Sequence, residues 1–239
     1  MLERIFYELA EDIDRITTVD QGDRFLQRMA ARYELKHVAY LGVNLPVCNH
    51  PDNYYVATTY SPKWLARYTS ANYVSIDPIV RLGMQRVSPL DWQEIDRSQR
   101  HLQDFFDDAS QAGLAPNGMT IPVRGIHGET ALFSVNAEIQ DRNWPAYRKT
   151  YMRDFQVIAC SFHEHVLRRE KILPPTIELS PRQLEVLKWA ALGKTEWEVG
   201  AIMRLSTRTV KYHMAGAFAR LGTPNKVSAV ARAVRLHLI

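Results

Sequence analysis

From Ser180 to Ile239 the chain carries helix starts and stops so closely spaced that it can fold only as a set of short helices. Ser180-Pro-Arg-Gln183 joins an N-cap serine, a proline at the first helical position and a glutamine that completes a capping box. Leu184, Leu187 and Ala191 follow as an apolar face, and Gly193 is placed to end the helix. Thr195-Glu-Trp-Glu198 repeats the box and opens a second helix through Met203. After the turn Arg204-Leu-Ser206, Ser206 caps a third helix from Thr207 to about Leu221. Pro224-Asn225 precedes a fourth, carrying Val227, Val230, Val234 and Leu238.

Two short helices joined by a tight turn, the second opened by basic residues, are what a DNA major groove accepts. On the third helix Val210, Met214 and Phe218 form a packing stripe. Thr207, Arg208 and Lys211 occupy another face near its N-terminus, where a recognition helix meets bases and phosphates and the helix dipole adds positive potential. Lys194, Thr195 and Lys226 suit backbone contacts, which position without specifying sequence. His213 has two readings, a phosphate contact or a packed or capping role. From Thr176 onward ten Lys/Arg stand against four Glu, a balance of +6, while residues 1–175 hold twenty basic and twenty-two acidic side chains, −2. A small basic block on a larger acidic one suggests that only the C-terminal part meets a polyanion. An ordinary four-helix surface with solvated lysines is the plainer alternative.

The clearest boundary is Lys171–Glu178, where Pro174-Pro175 cannot continue a helix and favours an extended connector. This sets a domain at 1–170, a linker at 171–178 and a helical domain at 179–239. Ahead of the prolines, Tyr147, Tyr151, Phe155, Ile158, Phe162 and Val166 mark one face of a long helix over 143–170. Residues 2–16 and 21–34 read as helices with Ile5, Leu9, Ile13, Phe25 and Met29 inward. Val38–Val43, Tyr54–Thr59, Met119–Val123 and Thr130–Ala137 read as strands, the last two flanking a turn at Gly125–Gly128. The fold class is therefore α+β: a mixed domain with a mainly antiparallel sheet, linked to an all-α four-helix domain. No stretch reaches the apolar length of a membrane span. Charge from Glu3 onward argues against a signal peptide. Cys48 and Cys160 lie far apart without metal-ligand spacing, which fits a reduced cytoplasmic protein, although a disulfide between them stays open.

The run 179–195, Leu-Ser-Pro-Arg-Gln-Leu-Glu-Val-Leu-Lys-Trp-Ala-Ala-Leu-Gly-Lys-Thr, followed by Thr209-Val-Lys-Tyr-His213, closely resembles the C-terminal domain of LuxR-type regulators. The resemblance covers roughly 176–239 and implies a four-helix DNA-binding fold whose last helix often serves dimerisation. Residues 1–170 show no array of alternating βα units, so a phosphorylated receiver is not expected. Tyr60-Ser-Pro-Lys-Trp64-Leu-Ala-Arg-Tyr68, Tyr73, Asp77-Pro78-Ile-Val80, Trp92, Gly113 and Ser134-Val-Asn-Ala-Glu138 instead resemble, in order and spacing, the autoinducer-binding domain of quorum-sensing LuxR-type proteins. That implies an α-β-α sandwich enclosing an N-acyl-homoserine lactone as regulatory ligand, with no catalytic cofactor. It also implies promoter DNA and RNA polymerase as partners, and a homodimer on a near-palindromic site.

Such a ligand has an apolar tail and a head with one amide N–H and two carbonyls. Trp64 offers an indole N–H to the lactone carbonyl, Asp77 an acceptor for the amide N–H, and Tyr60 and Ser134 donors to the acyl carbonyl. Tyr68 and Trp92 would wall the head; Val38, Tyr40, Tyr55, Val80, Phe105, Met119 and Leu132 are candidates to line the tail. Each has a plainer reading. Asp77-Pro78 is also a good cap for a helix through Val87, Trp64 and Tyr68 suit a core helix capped by Ser61, and Ser134 suits a packed strand. A ligand of another kind, or none, fits the same fold. An enzyme built on Cys160, His163 and His165 lacks any third orienting group or oxyanion-hole motif.

Overall fold

The computed structural model describes residues 2–43, 45, 54–125, 128–169 and 177–239, and the chain divides into two compact units. The first comprises Met1–Arg124 with Glu129–Ile172, the second Gly125–Gly128 with Leu173–Ile239. Most of the expected linker, 171–176, lies outside the described residues, as do Cys48 and the centre of the Gly125–Gly128 turn.

The first unit opens with α1 (Leu2–Asp14) and α2 (Val19–Arg32). Thr18 accepts the Gln21 amide, and the Gln21 side chain accepts the Thr18 amide, so α2 starts on a capping box. The sheet comprises β1 (His37–Val43), β2 (Tyr54–Thr58), β3 (Leu90–Asp91), β4 (Asn117–Arg124) and β5 (Thr130–Ala137). Its order is β2-β1-β5-β4-β3, with every pair antiparallel. Directly paired residues share a face, so the row Tyr40–Phe133–Ile121 fixes one side of the sheet and the row Ala39–Ser134–Thr120 the other.

Val38, Tyr40, Met119, Ile121, Phe133 and Val135 form the first side with Ile13 of α1, Phe25 and Met29 of α2, and Phe155, Ile158 and Phe162 of α6 (Trp144–Arg169). Full burial of a side chain of this kind stabilises by roughly 1.5–3 kcal/mol. The second side is covered by α3 (Pro62–Ser70), α4 (Pro78–Gly83) and α5 (Arg100–Gln111). A Cβ on Gly83 would stand 2.9 Å from Leu132, so α4 lies hard against β5. Helices on both faces of the sheet make the expected α-β-α sandwich. The helix from Asp77 stops at Gly83 rather than Val87. Met84 and Arg86 turn their carbonyls to the Arg124 guanidinium at 2.6 and 2.8 Å, so β4 holds the chain out of helical register.

In the second unit α7 (Pro181–Ala191), α8 (Glu196–Met203), α9 (Thr207–Leu221) and α10 (Lys226–Arg235) begin at Ser180, Thr195, Ser206 and Asn225, each side chain accepting a first-turn amide. Val186, Leu187, Ala190, Val199, Val210, Met214, Ala217, Leu221, Ala229 and Ala233 form the core. The inward faces differ in two helices from those periodicity predicts. Ala191 is exposed while Val186 and Ala190 are buried, because α7 packs on both α9 and α10. Val227 and Val234 face outward while Ala229 and Ala233 are buried, since small side chains let α10 approach closely. Among the described residues no helix is long and apolar enough to cross a membrane.

Candidate functional site

On the second side of the sheet, Ser61 caps α3 through the Trp64 amide at 3.2 Å, which places Trp64 one turn before Tyr68. Trp64 is buried against Tyr68 (5.9 Å between ring centroids) and Phe105 (6.2 Å), and Tyr73 meets Phe105 edge-on at 5.1 Å. Offset and edge-on geometries of this kind add to area burial.

Asp77 sits in this aromatic cage with 6% of its surface exposed. Its Oδ1 accepts the amides of Ile79 (2.8 Å) and Val80 (3.3 Å), and its Oδ2 accepts the Tyr68 hydroxyl at 2.8 Å. Asp77 is thus the N-cap of α4 and also a buried acceptor. Burial pushes its pKa above the usual 3.8, opposed by the Tyr68 hydroxyl and the two amides. Burial, with the Asp77 charge nearby, pushes the Tyr60 and Tyr68 phenols far up, so both remain proton donors.

A second polar chain crosses the strands. The Trp92 indole N–H donates to Thr120 Oγ1 at 2.9 Å, and Thr120 Oγ1 shares a hydrogen bond with Ser134 Oγ at 2.8 Å. Trp92 is held from behind: Asp91 accepts the Trp144 indole at 3.0 Å and pairs with Arg148. A Cβ on Gly118 would strike the Trp92 ring at 2.5 Å, so only glycine leaves room for it. Among the described residues, neither the Trp64 indole N–H nor the Tyr60 hydroxyl has a hydrogen-bond partner. Two free donors, a hydroxyl pair and a carboxylate with spare acceptor capacity therefore share one half of the sandwich.

Tyr60, Trp64, Tyr68, Asp77, Trp92, Phe105, Leu132 and Ser134 lie on this side, with Val80 half-buried on α4. Val38, Tyr40, Met119 and Tyr55 do not. The two-residue period of β1, β2 and β4 turns them to the other side, where Tyr40 donates or accepts at His163 Nδ1 (2.7 Å) and meets Tyr55 ring to ring at 6.0 Å. A tail among the head-binding residues would be separated from these four by the sheet itself. The pairing also adds Thr120, which sequence alone could not single out: its role comes from standing opposite Ser134.

The second unit presents a different surface. Arg208, Lys211, Tyr212 and Ala215 are exposed on one stripe of α9, with Thr207 half-buried at its start. Tyr212, which no spacing in the sequence marks, is 75% exposed one turn after Arg208, whereas His213 is half-buried with its ring 5.6 Å from Tyr212. Thr195 is spent on the α8 capping box, where its hydroxyl donates to Glu198 at 2.9 Å. Lys226 donates to the Lys194 carbonyl at 2.7 Å, and Lys194 Nζ stands 3.6 Å from Glu198. Two of the expected backbone-contact lysines are thus tied into the α8 start. The turn between α8 and α9 needs Gly200, whose Cβ would stand 2.8 Å from the Leu205 carbonyl oxygen, and Arg204 takes a left-handed conformation (φ 55°) to close it.

Comparison with known proteins addresses both units. Residues 19–166 match the family model described as autoinducer binding domain, and residues 178–233 that described as bacterial regulatory proteins, luxR family. The chain is 33% identical over 168 residues to the transcriptional activator protein RaiR of Rhizobium etli, covering 68% of each chain. It is 33% identical over 182 residues to the transcriptional activator protein BjaR1 of Bradyrhizobium diazoefficiens, covering 74% of this chain and 72% of the relative. Its fold is similar to the crystal structure of Escherichia coli SdiA, with a TM-score of 0.72 at 21% identity over 100% of this chain and 99% of that one.

Proposed function

The chain belongs to the LuxR family of bacterial regulatory proteins, DNA-binding quorum-sensing transcription regulators rather than enzymes, and from that premise we propose that its autoinducer is an N-acyl-homoserine lactone. The observation that carries this reading is the donor and acceptor balance around Asp77. The free Trp64 N–H and Tyr60 O–H suit two carbonyls, and the carboxylate that already takes three protein donors has room for one ligand N–H. Ser134 is the further donor for the acyl carbonyl, while Trp92 and Tyr68 wall the head. The tail runs along the same side of the sheet, past Leu132 and Val80.

The basic α9 stripe enters the major groove, with Arg208, Lys211 and Tyr212 outward and Thr207 at the helix start; His213 stands beside them. Lys194 meets the DNA backbone, Lys226 holds the Lys194 carbonyl in place for it, and Thr195 acts as the cap of α8 beside them. Val227, Ala231 and Val234 leave an apolar strip on α10, fitted to a second copy of the chain on a near-palindromic site. The reading places the protein in the cytoplasm, where promoter DNA and RNA polymerase are met.

Mass spectrometry of organic extracts from purified protein, paired with melting in the presence of acyl-homoserine lactones from butanoyl to dodecanoyl, tests it. Ligand at a hundred times its Kd should stabilise the native state by about 2.7 kcal/mol. A different amphiphile in the extract, or no shift across the panel, overturns the lactone assignment and leaves the family standing.

A further inference from the structure

A cavity of about 230 Å³ lies under α5, walled by Ile79, Trp92, Phe105, Phe106 and Leu114 with Arg97. It adjoins the polar set described above through shared walls. Phe105 packs on Trp64, and Trp92 carries the hydrogen bond to Thr120 that continues to Ser134. Of the charged side chains on its lining, Asp107 belongs to the exposed face of α5, whereas Arg97 is half-buried.

The Arg97 guanidinium lies over the Phe106 ring, 4.0 Å from its centroid, which partly offsets its charge. One nitrogen, Nη2, donates to the Trp92 and Pro116 carbonyls at 3.4 Å, the outer limit of hydrogen bonding. Nη1 and Nε have no partner among the described residues, and no carboxylate there is within ion-pairing distance. Burial draws its pKa down, with the more distant Asp141 charge opposing. Two other half-buried arginines of this unit end on an acid, Arg86 on Glu94 and Arg148 on Asp91, and the exposed Arg124 ends on carbonyls of the chain after α4. Of these, Arg97 is the one that stands at the cavity wall with no acidic partner.

We infer that Arg97 is a specificity-determining residue for the end of the ligand that enters this cavity, donating to an oxygen there and letting the site accept a carboxylate. Resting on the lactone reading, this deepens it. Addition of water across the ring ester of an acyl-homoserine lactone yields a carboxylate, a hydroxyl and a released proton. A neutral slot would reject that product, because an unpaired anion is costly to desolvate. A slot with a guanidinium fork can take it through charge-assisted bonds. The receptor then responds to both the closed and the opened head, with Arg97 setting the ratio.

The test is calorimetric binding of N-acyl-homoserine lactones, butanoyl to dodecanoyl, and of their alkali-opened carboxylates to the full chain and to Arg97→Met and Arg97→Gln. The inference requires the wild type to bind the tightest-binding lactone's opened partner within about tenfold of the lactone itself. Both variants should weaken the opened form at least tenfold and the lactone much less; Gln guards against a packing defect in Met, and near-ultraviolet circular dichroism confirms the fold of each. If the wild type binds lactones but not the opened forms, or the variants leave the ratio unchanged, the inference falls alone. If the wild type binds neither form, the lactone reading falls and takes the inference with it.

Discussion

Replacing Asp77 by asparagine separates the two duties of that carboxylate. Asparagine is as good an N-cap as aspartate, so its remaining oxygen keeps the amides of Ile79 and Val80 and α4 still starts at Pro78. The new amide group then faces Tyr68, whose hydroxyl can turn and accept. What disappears is the negative acceptor for a ligand N–H, which would meet a donor instead. A hydrogen bond to a charged group contributes roughly 1.5–3 kcal/mol. At about 1.4 kcal/mol per decade, affinity for an acyl-homoserine lactone should fall some ten- to hundredfold.

Stability should not fall with it. Burial raises the Asp77 pKa above 3.8, so the charged carboxylate is a cost to the fold. That cost is fully present above the folded pKa and vanishes below the unfolded value, because the native state takes up the proton first on acidification. Asp77→Asn should therefore match or exceed wild-type stability at neutral pH, with the difference shrinking as the pH falls through the raised pKa. Binding calorimetry and chemical denaturation on the same samples decide the matter. Wild-type affinity in the variant would refute the ligand role. Parallel losses of affinity and stability would mean that Asp77 matters only as the cap of α4.

Three further outcomes follow from other parts of the structure. Gly200→Ala pushes a Cβ to 2.8 Å from the Leu205 carbonyl oxygen, so thermal melting should show the second unit destabilised by about 1–3 kcal/mol, the usual range for overpacking. Arg208→Ala and Lys211→Ala should each weaken promoter binding at fixed salt, and the slope of log affinity against log salt should drop by about 1 for every phosphate left without its cation; unchanged slopes would remove them from the interface. His163 and His165 are held below the usual imidazole value of 6.5, chiefly by burial, so the unfolded chain protonates first and their stabilisation is lost as the pH falls below 6.5. The first unit should melt lower at pH about 5.5 than at about 7.5, and His163→Gln should reduce that difference.

The second unit is almost fully legible in the sequence because its instructions are local. A cap at Ser180, Thr195 or Ser206 acts on amides two or three residues away, and Gly193 or Gly222 ends a helix through its own φ. What misleads is hydrophobicity taken as burial. Valine is the more apolar residue in Lys226–Arg235, yet α10 turns Ala229 and Ala233 inward, because the gap to α7 and α9 is set by helix approach and not by side-chain polarity. Tyr212 escapes for the converse reason: an aromatic residue between two packing positions looks like core until the buried face of α9 is seen to run through Val210, Met214, Ala217 and Leu221, leaving Tyr212 outside.

The sheet marks the deeper limit. A strand with one wet face shows its register by alternation, but β5 is buried along nearly its whole length and β4 along all but Arg124. Apolar residues then stand on both sides, and Met119 and Leu132 carry no mark telling which of them shares a face with Ser134. The pairing tells: Ser134 stands opposite Ala39 and Thr120, so Leu132, two residues away, lies on the ligand side, and Met119, paired with Val135, lies on the other. Trp64, Tyr68 and Asp77 are legible for the opposite reason. They lie within two turns of a capped helix and the next helix start, so their meeting is set by nearby chain geometry. Arg97 belongs to neither class. Its partners, Phe106, Pro116 and the Trp92 carbonyl, come from segments that only the closed sandwich brings together. Residues that tune a shared fold toward a particular ligand are found where long-range packing leaves a donor unspent.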